Sequence, residues 1–138
     1  MTRAVILARL SSLCAAPPFS FVQAVSPFDV DQQPTGQIDQ VFRVTLEGDT
    51  VIGGFNYSED RTDLATIWVA RKQSADPHVT YATLTTDVSS LTAAVVRDGA
   101  GPGDFAVPDG GTVSFAHDEG REFAVARLTI PINYETSL

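Results

Sequence analysis

From Gln40 onward, hydrophobic and polar residues alternate. Phe42, Val44 and Leu46 are separated by Arg43 and Thr45, the period-two pattern of a half-buried strand. Glu47-Gly48-Asp49 predicts a turn. Residues 50–55 predict a short strand interrupted at Gly53-Gly54, where a bulge or bend is expected. Residues 64–71 are strongly β-prone, with Ile67 and Val69 on one face and Trp68 on the other. After a turn over residues 73–77, Val79, Tyr81 and Thr83 alternate again, and the apolar run at residues 91–96 predicts an extra strand or lobe. A Gly- and Pro-rich loop follows Asp98. Val113 and Phe115 mark one further strand, and residues 123–132 the last, with Ala124, Ala126, Leu128, Ile130 and Ile132 in phase. Short strands at this regular spacing predict an all-β sandwich.

Residues 1–36 follow a different pattern. Ile6, Leu10 and Leu13 have helical spacing and suit a short amphipathic helix, although a short apolar strand fits the same residues. Pro17, Pro18, Pro27 and Pro34 forbid a continuous helix or a central strand. Each large side chain in this stretch gains ~1.5–3 kcal/mol from burial, so it must pack on its own domain or on a neighbour. Ile6, Leu10, Leu13, Phe19, Phe21, Val25 and Phe28 are therefore the candidate partner-docking residues. Polar, turn-prone residues 29–36 read as a linker. The expected organisation is a docking arm with its linker at 1–36 and a β-sandwich domain at 37–138. A secretory signal is the alternative: Arg3 opens it, an apolar stretch follows, and Val22-Gln23-Ala24 has a cleavage-like end. Arg9 and the Pro17-Pro18 pair suit that alternative poorly.

Charge sharpens the contrast. The 138 residues carry a net charge of −8, but residues 1–28 hold Arg3 and Arg9 and no acid, a charge of +2. The remainder holds all seventeen acids against seven basic residues, a charge of −10. An acidic body repels phosphate backbones and argues against nucleic-acid partners. No apolar run approaches the ~18 residues of a membrane span. Cys14 is the only cysteine, so no disulfide forms within the chain.

Catalytic patterns are missing. His78 and His117 lack the spaced partners of a zinc site. No Gly-x-Ser-x-Gly elbow occurs, and residues 99–103 lack the Lys-Ser/Thr of a phosphate-binding loop. Trp68, Tyr57, Tyr81 and Tyr134 offer rings that stack on sugars, but strand positions favour core or sheet-face roles. The expectation is a protein that is not an enzyme.

One series of segments carries a family resemblance. Ser58-Glu59-Asp60 is followed by Ala65-Thr66-Ile67-Trp68-Val69-Ala70-Arg71 and Val79-Thr80-Tyr81-Ala82-Thr83. Then come Asp98-Gly99-Ala100, Gly103-Asp104-Phe105, Gly111-Thr112-Val113-Ser114-Phe115-Ala116 and Leu128-Thr129-Ile130-Pro131-Ile132. In order and content these resemble the Calx-β family over roughly residues 55–132. The resemblance implies an immunoglobulin-like antiparallel sandwich with an extended N-terminal arm. Residues 84–96 would be an insertion, and the family's last two strands are absent after Ile132. Residues 39–46 are similar to the missing sixth strand, so either the front of the chain completes the sandwich or a neighbour donates a strand. Some family members bind calcium through acidic loops. The matching positions are Glu59 and Asp104, with Asp60 and Asp98 close by, but the family's aspartate run is replaced by Asn133-Tyr134-Glu135. No other cofactor is expected.

These readings converge on a structural or accessory subunit held in a larger, multi-copy protein assembly, on a virion as a capsid decoration or cement protein, or in a surface layer or filament. The alternative is a secreted, cell-surface module that binds glycan or calcium.

Overall fold

The computed structural model describes residues 2–24, 39–55, 57–99, 105–107, 111–117 and 123–137. They form helix α1 (Arg3–Ala15), strands β1 (Val22–Gln23), β2 (Val41–Phe55) and β3 (Ser58–Lys72), helix α2 (Pro77–Gly99), and strands β4 (Thr112–His117) and β5 (Phe123–Ser137). The strands make one mixed sheet in the order β1-β2-β3-β5-β4. β1 runs parallel to β2, and every other pair is antiparallel.

The β-rich expectation holds, but the all-β sandwich does not. Two helices stand where a second sheet was expected. They cover one face of the single sheet, α1 against β2 and α2 against β3 and β5. The covered face follows from strand alternation: Phe42 and Val44 lie opposite Val69 and Ile67, which lie opposite Ala126 and Leu128. These residues share one hydrophobic cluster with Ile6, Leu10 and Cys14 of α1 and Leu84, Val88, Leu91 and Val95 of α2.

Helix α2 replaces the strand expected at residues 79–83 and the extra strand expected at 91–96. Leu84, Val88, Leu91 and Val95 recur at steps of four, three and four, so they form a single stripe on a helix. Asp76 accepts a hydrogen bond from the His78 backbone N–H at 3.0 Å, and Pro77 occupies the first helical position. The hydroxyls of Thr83, Thr85, Thr86 and Thr92 each donate to the carbonyl four residues earlier, which satisfies side chains that otherwise favour strands. Arg71 then fastens α2 to β3, donating from Nε and Nη2 to the two carboxylate oxygens of Asp87 at 2.8 and 2.9 Å.

Helix α1 starts at Thr2, whose hydroxyl accepts from the Val5 N–H. Ile6, Leu10 and Cys14 are fully buried, and Phe21 nearly so. Leu13 and Phe19 pack against the same cluster. The segment expected to be a separate docking arm is therefore built into the core of the strands. Val25, Phe28 and the linker at 29–36 lie outside the described residues.

Two expectations about β2 resolve differently. The ladder shifts register between Val51 and Gly53, where Gly53-Gly54 marked a bulge. The other shift lies between Leu46 and Asp49, so Glu47-Gly48-Asp49 is an irregularity inside a continuous strand and not a turn between two strands. At the far edge, Gly111 (φ +70°) leads into β4 in a conformation that excludes other residues, because a Cβ there would collide with the Thr129 carbonyl.

Candidate interaction surfaces

The sheet is longer than the helices that cover it. On β3 the inner face turns from apolar to polar at Asp63, while Ile132 and Tyr134 carry the hydrophobic cluster on along β5. Asp63, 2% exposed, accepts from Arg3 Nε of α1 at 2.8 Å and from the backbone N–H groups of Gly48 and Leu64 at 3.0 and 2.8 Å. One step further out, Arg61 donates to Glu59 Oε2 from Nε and Nη2, and to Asp49 Oδ2 from Nη1 at 2.7 Å. The Tyr134 hydroxyl of β5 donates to the same Asp49 oxygen at 3.0 Å. The network thus ties β2, β3 and β5 together at the start of α1, where Ala106 bridges Asn133 of β5 and Phe105 is buried in the core cluster.

The protonation states follow from these contacts. Hydrogen bonds from Arg61 and then Tyr134 hold the Asp49 carboxyl below its ordinary value. Burial, followed by the Asp49 hydrogen bond, pushes the Tyr134 phenol up to about 12. Arg61 and Arg3 are raised by their carboxylate partners, so both stay charged.

Along this network and on to the end of their pairing, β2, β3 and β5 form a three-stranded ribbon. From Asp49 to Phe55 it extends about 20 Å at ~3.3 Å per residue. Three apolar side chains stand open among its polar and charged neighbours: Val51 is 48% exposed, Ile52 56% and Tyr57 84%. The other tyrosines and Trp68 are engaged. Tyr134 is buried, Tyr81 packs on Phe115 with ring centroids 5.0 Å apart, and Trp68 lies between the guanidinium groups of Arg43 and Arg127 on the neighbouring strands. Among the described aromatic residues, Tyr57 at the ribbon tip presents the most open ring.

A second surface lies at the opposite edge of the sheet. β4 is the outermost strand there, and Val113 and Phe115 are about two-fifths exposed. Phe115, Tyr81, Leu84, Pro77 and Ala124 line an apolar cavity of about 230 Å³ between β4 and the start of α2.

The three described candidate calcium residues, Glu59, Asp60 and Asp98, do not converge. Glu59 is held by Arg61 on the ribbon, whereas Asp98, at the end of α2, pairs with Arg9 Nη2 of α1 at 2.8 Å. Asp60 is exposed on β3, and Asp104 lies outside the described residues. Among the described residues, no three His, Cys, Asp or Glu are grouped to hold a metal ion. Cys14 is buried and its thiol is pushed up to about 12 by desolvation, so it is not a reactive site. No described helix is long and apolar enough to cross a membrane. No protein-family model matches the chain, and a search of curated proteins found no relative.

Sequence reasoning missed the ribbon. The signal available was the pair of glycines at 53–54 between β-prone, apolar residues with no matching inner-face pattern.

Proposed function

We propose that this chain is a non-enzymatic structural subunit of a larger, multi-copy protein assembly, and that the three-stranded ribbon is its docking element. A virion decoration or cement protein and a surface-layer or filament subunit are the settings that suit it, which places it on a virion or outside the cell. The observation that carries the reading is the ribbon tip. Val51, Ile52 and Tyr57 are exposed on a ribbon that runs past the helices. The network of Asp49, Arg61, Glu59 and Tyr134 runs along the same ribbon and stiffens it. Large apolar side chains on a stiff ribbon favour burial against a partner, each contributing ~1.5–3 kcal/mol when fully covered. Docking by an arm at residues 1–36 loses support, since Ile6, Leu10 and Phe21 are already spent in the chain's own core.

The secreted binding module ranks second for the same reason. Cleavage after Ala24 would strip Ile6, Leu10, Cys14 and Phe21 from the central cluster.

Sedimentation velocity of the full chain over a wide concentration range, beside the double variant I52D/Y57D, tests the proposal. The wild type is expected to assemble and the folded variant to remain smaller. A wild type that stays monomeric throughout, or a variant that assembles equally well, would sink it.

A further inference from the structure

We infer that strand β4 is a self-pairing edge: two copies of this chain join β4 to β4 in antiparallel register about a two-fold axis, which merges their sheets into one. The inference rests on the multi-copy reading above but uses a separate surface.

The two edges of the sheet are built differently. On one side, β1 covers β2 only at Val41 and Phe42. The remaining outer edge of β2 is broken by two register shifts and carries Glu47, Gly48, Asp49, Gly53 and Gly54. Bulges, charges and glycines are the devices that keep an edge from pairing. β4 has none of them. Thr112-Val113-Ser114-Phe115-Ala116-His117 contains no proline, glycine, lysine, arginine or carboxylate, and it pairs regularly with β5 over all six residues. Among the described residues nothing lies on its outer side.

The side-chain pattern then selects the partner. Val113 and Phe115 lie opposite Leu128 and Ala126, so they share the helix-covered face, while Ser114 points to the other. In an antiparallel pair, residues directly opposite each other share a face. A two-fold axis at Ser114 meets that condition. It sets Val113 opposite Phe115 of the second copy, Ser114 opposite its own equivalent, and Thr112 opposite Ala116 of the second copy. Two exposed Phe115 rings, each already tilted against its own Tyr81, then meet two exposed Val113 side chains in one apolar cluster. No like charges face each other across the strand, although the chain as a whole is at −8. A two-fold interface is self-complementary by construction, and this strand meets that requirement through its own sequence.

The register supplies its own test. Across an antiparallel pair, opposite Cα atoms lie ~4.5–5.5 Å apart, inside the ~4.4–6.8 Å that a disulfide spans. Full chains carrying S114C, held at micromolar concentration under mild oxidation, should therefore form a covalent dimer seen by intact mass without reductant. T112C is the control. Two-fold pairing leaves its two copies four residues out of register, about 13 Å apart, so it should stay largely uncrosslinked. Buried Cys14 does not compete, and circular dichroism checks that each variant is folded. Preferential S114C cross-linking, at least tenfold over T112C, supports the inference. Equal cross-linking of both variants, or none in S114C, overturns it. A head-to-tail arrangement of β4 on the β2 edge of the next copy falls in the second class. The ribbon reading fails separately: S114C that does not cross-link in a chain whose assembly is abolished by I52D/Y57D removes only the β4 pairing. A cross-linked dimer unaffected by I52D/Y57D removes only the ribbon.

Discussion

Asp63 sits where the helix-covered core ends and the ribbon starts, so Asp63→Ala tests how the two halves of the sheet are joined. The carboxylate is almost completely buried and accepts three hydrogen bonds, from Arg3 Nε, Gly48 N–H and Leu64 N–H. These are not equal in worth. Arg3 is 43% exposed and returns to water when its partner is removed, so its ion pair contributes ~0–1 kcal/mol. Gly48 is exposed and regains a water in part. The remaining loss, two backbone donors deprived of a charged acceptor beside a buried site, brings the total to about 2–3 kcal/mol. For a chain of this size that lowers the melting temperature by roughly 8–12 °C. Thermal and urea unfolding followed by circular dichroism measure it, with exposed Asp60→Ala in the same strand as the reference within ~0.5 kcal/mol of wild type. An Asp63→Ala protein as stable as Asp60→Ala would refute the view that this carboxylate anchors the ribbon to the core.

Three further outcomes follow from the described contacts. The Tyr134 phenol, raised to about 12, should ionise late in a titration at 295 nm, and the late component should vanish in Y134F. Because its folded value lies above the ordinary ~10, its contribution to stability is complete below pH ~10 and disappears as pH climbs toward 12. Asp49 has the opposite sign: with a depressed folded value, its contribution is complete above pH ~4 and fades as pH falls below that, so acid should loosen the ribbon. Cys14 should resist a thiol reagent in the native protein and react promptly in denaturant; prompt native reaction would contradict its burial in the core.

How far the sequence carried these conclusions depends on the segment. Strands were legible where one face alternates into the main core, as in residues 42–46, 64–71 and 123–132, even though Ala70, Phe123 and Val125 bury a smaller cluster on the other face. The glycine pair at 53–54 correctly signalled an irregular ladder. Helix α2 was not legible because threonine and valine dominate it and Val79, Tyr81 and Thr83 alternate locally. The longer stripe from Leu84 to Val95 holds the helix through tertiary packing, which outweighs weak intrinsic propensity. The same misreading sustained the sandwich expectation, since it supplied strands to a second sheet. In α1 the helical spacing was visible, but not its destination; an apolar stripe looks the same whether it faces its own sheet or a neighbour. Glu59 and Asp98 illustrate the limit for sites: proximity in a family-like motif says nothing of the arginines that claim each carboxylate.

The claim at the centre of this account is that α1 belongs to the core while the ribbon makes the contacts. Hydrogen–deuterium exchange of the full chain, dilute and concentrated, tests it directly. Residues 3–15 should exchange slowly at both concentrations, and residues 49–60 should gain protection only in the concentrated, assembled sample. Rapid exchange in α1 when dilute, with protection gained there on assembly while the ribbon is unchanged, would contradict it and restore the docking arm.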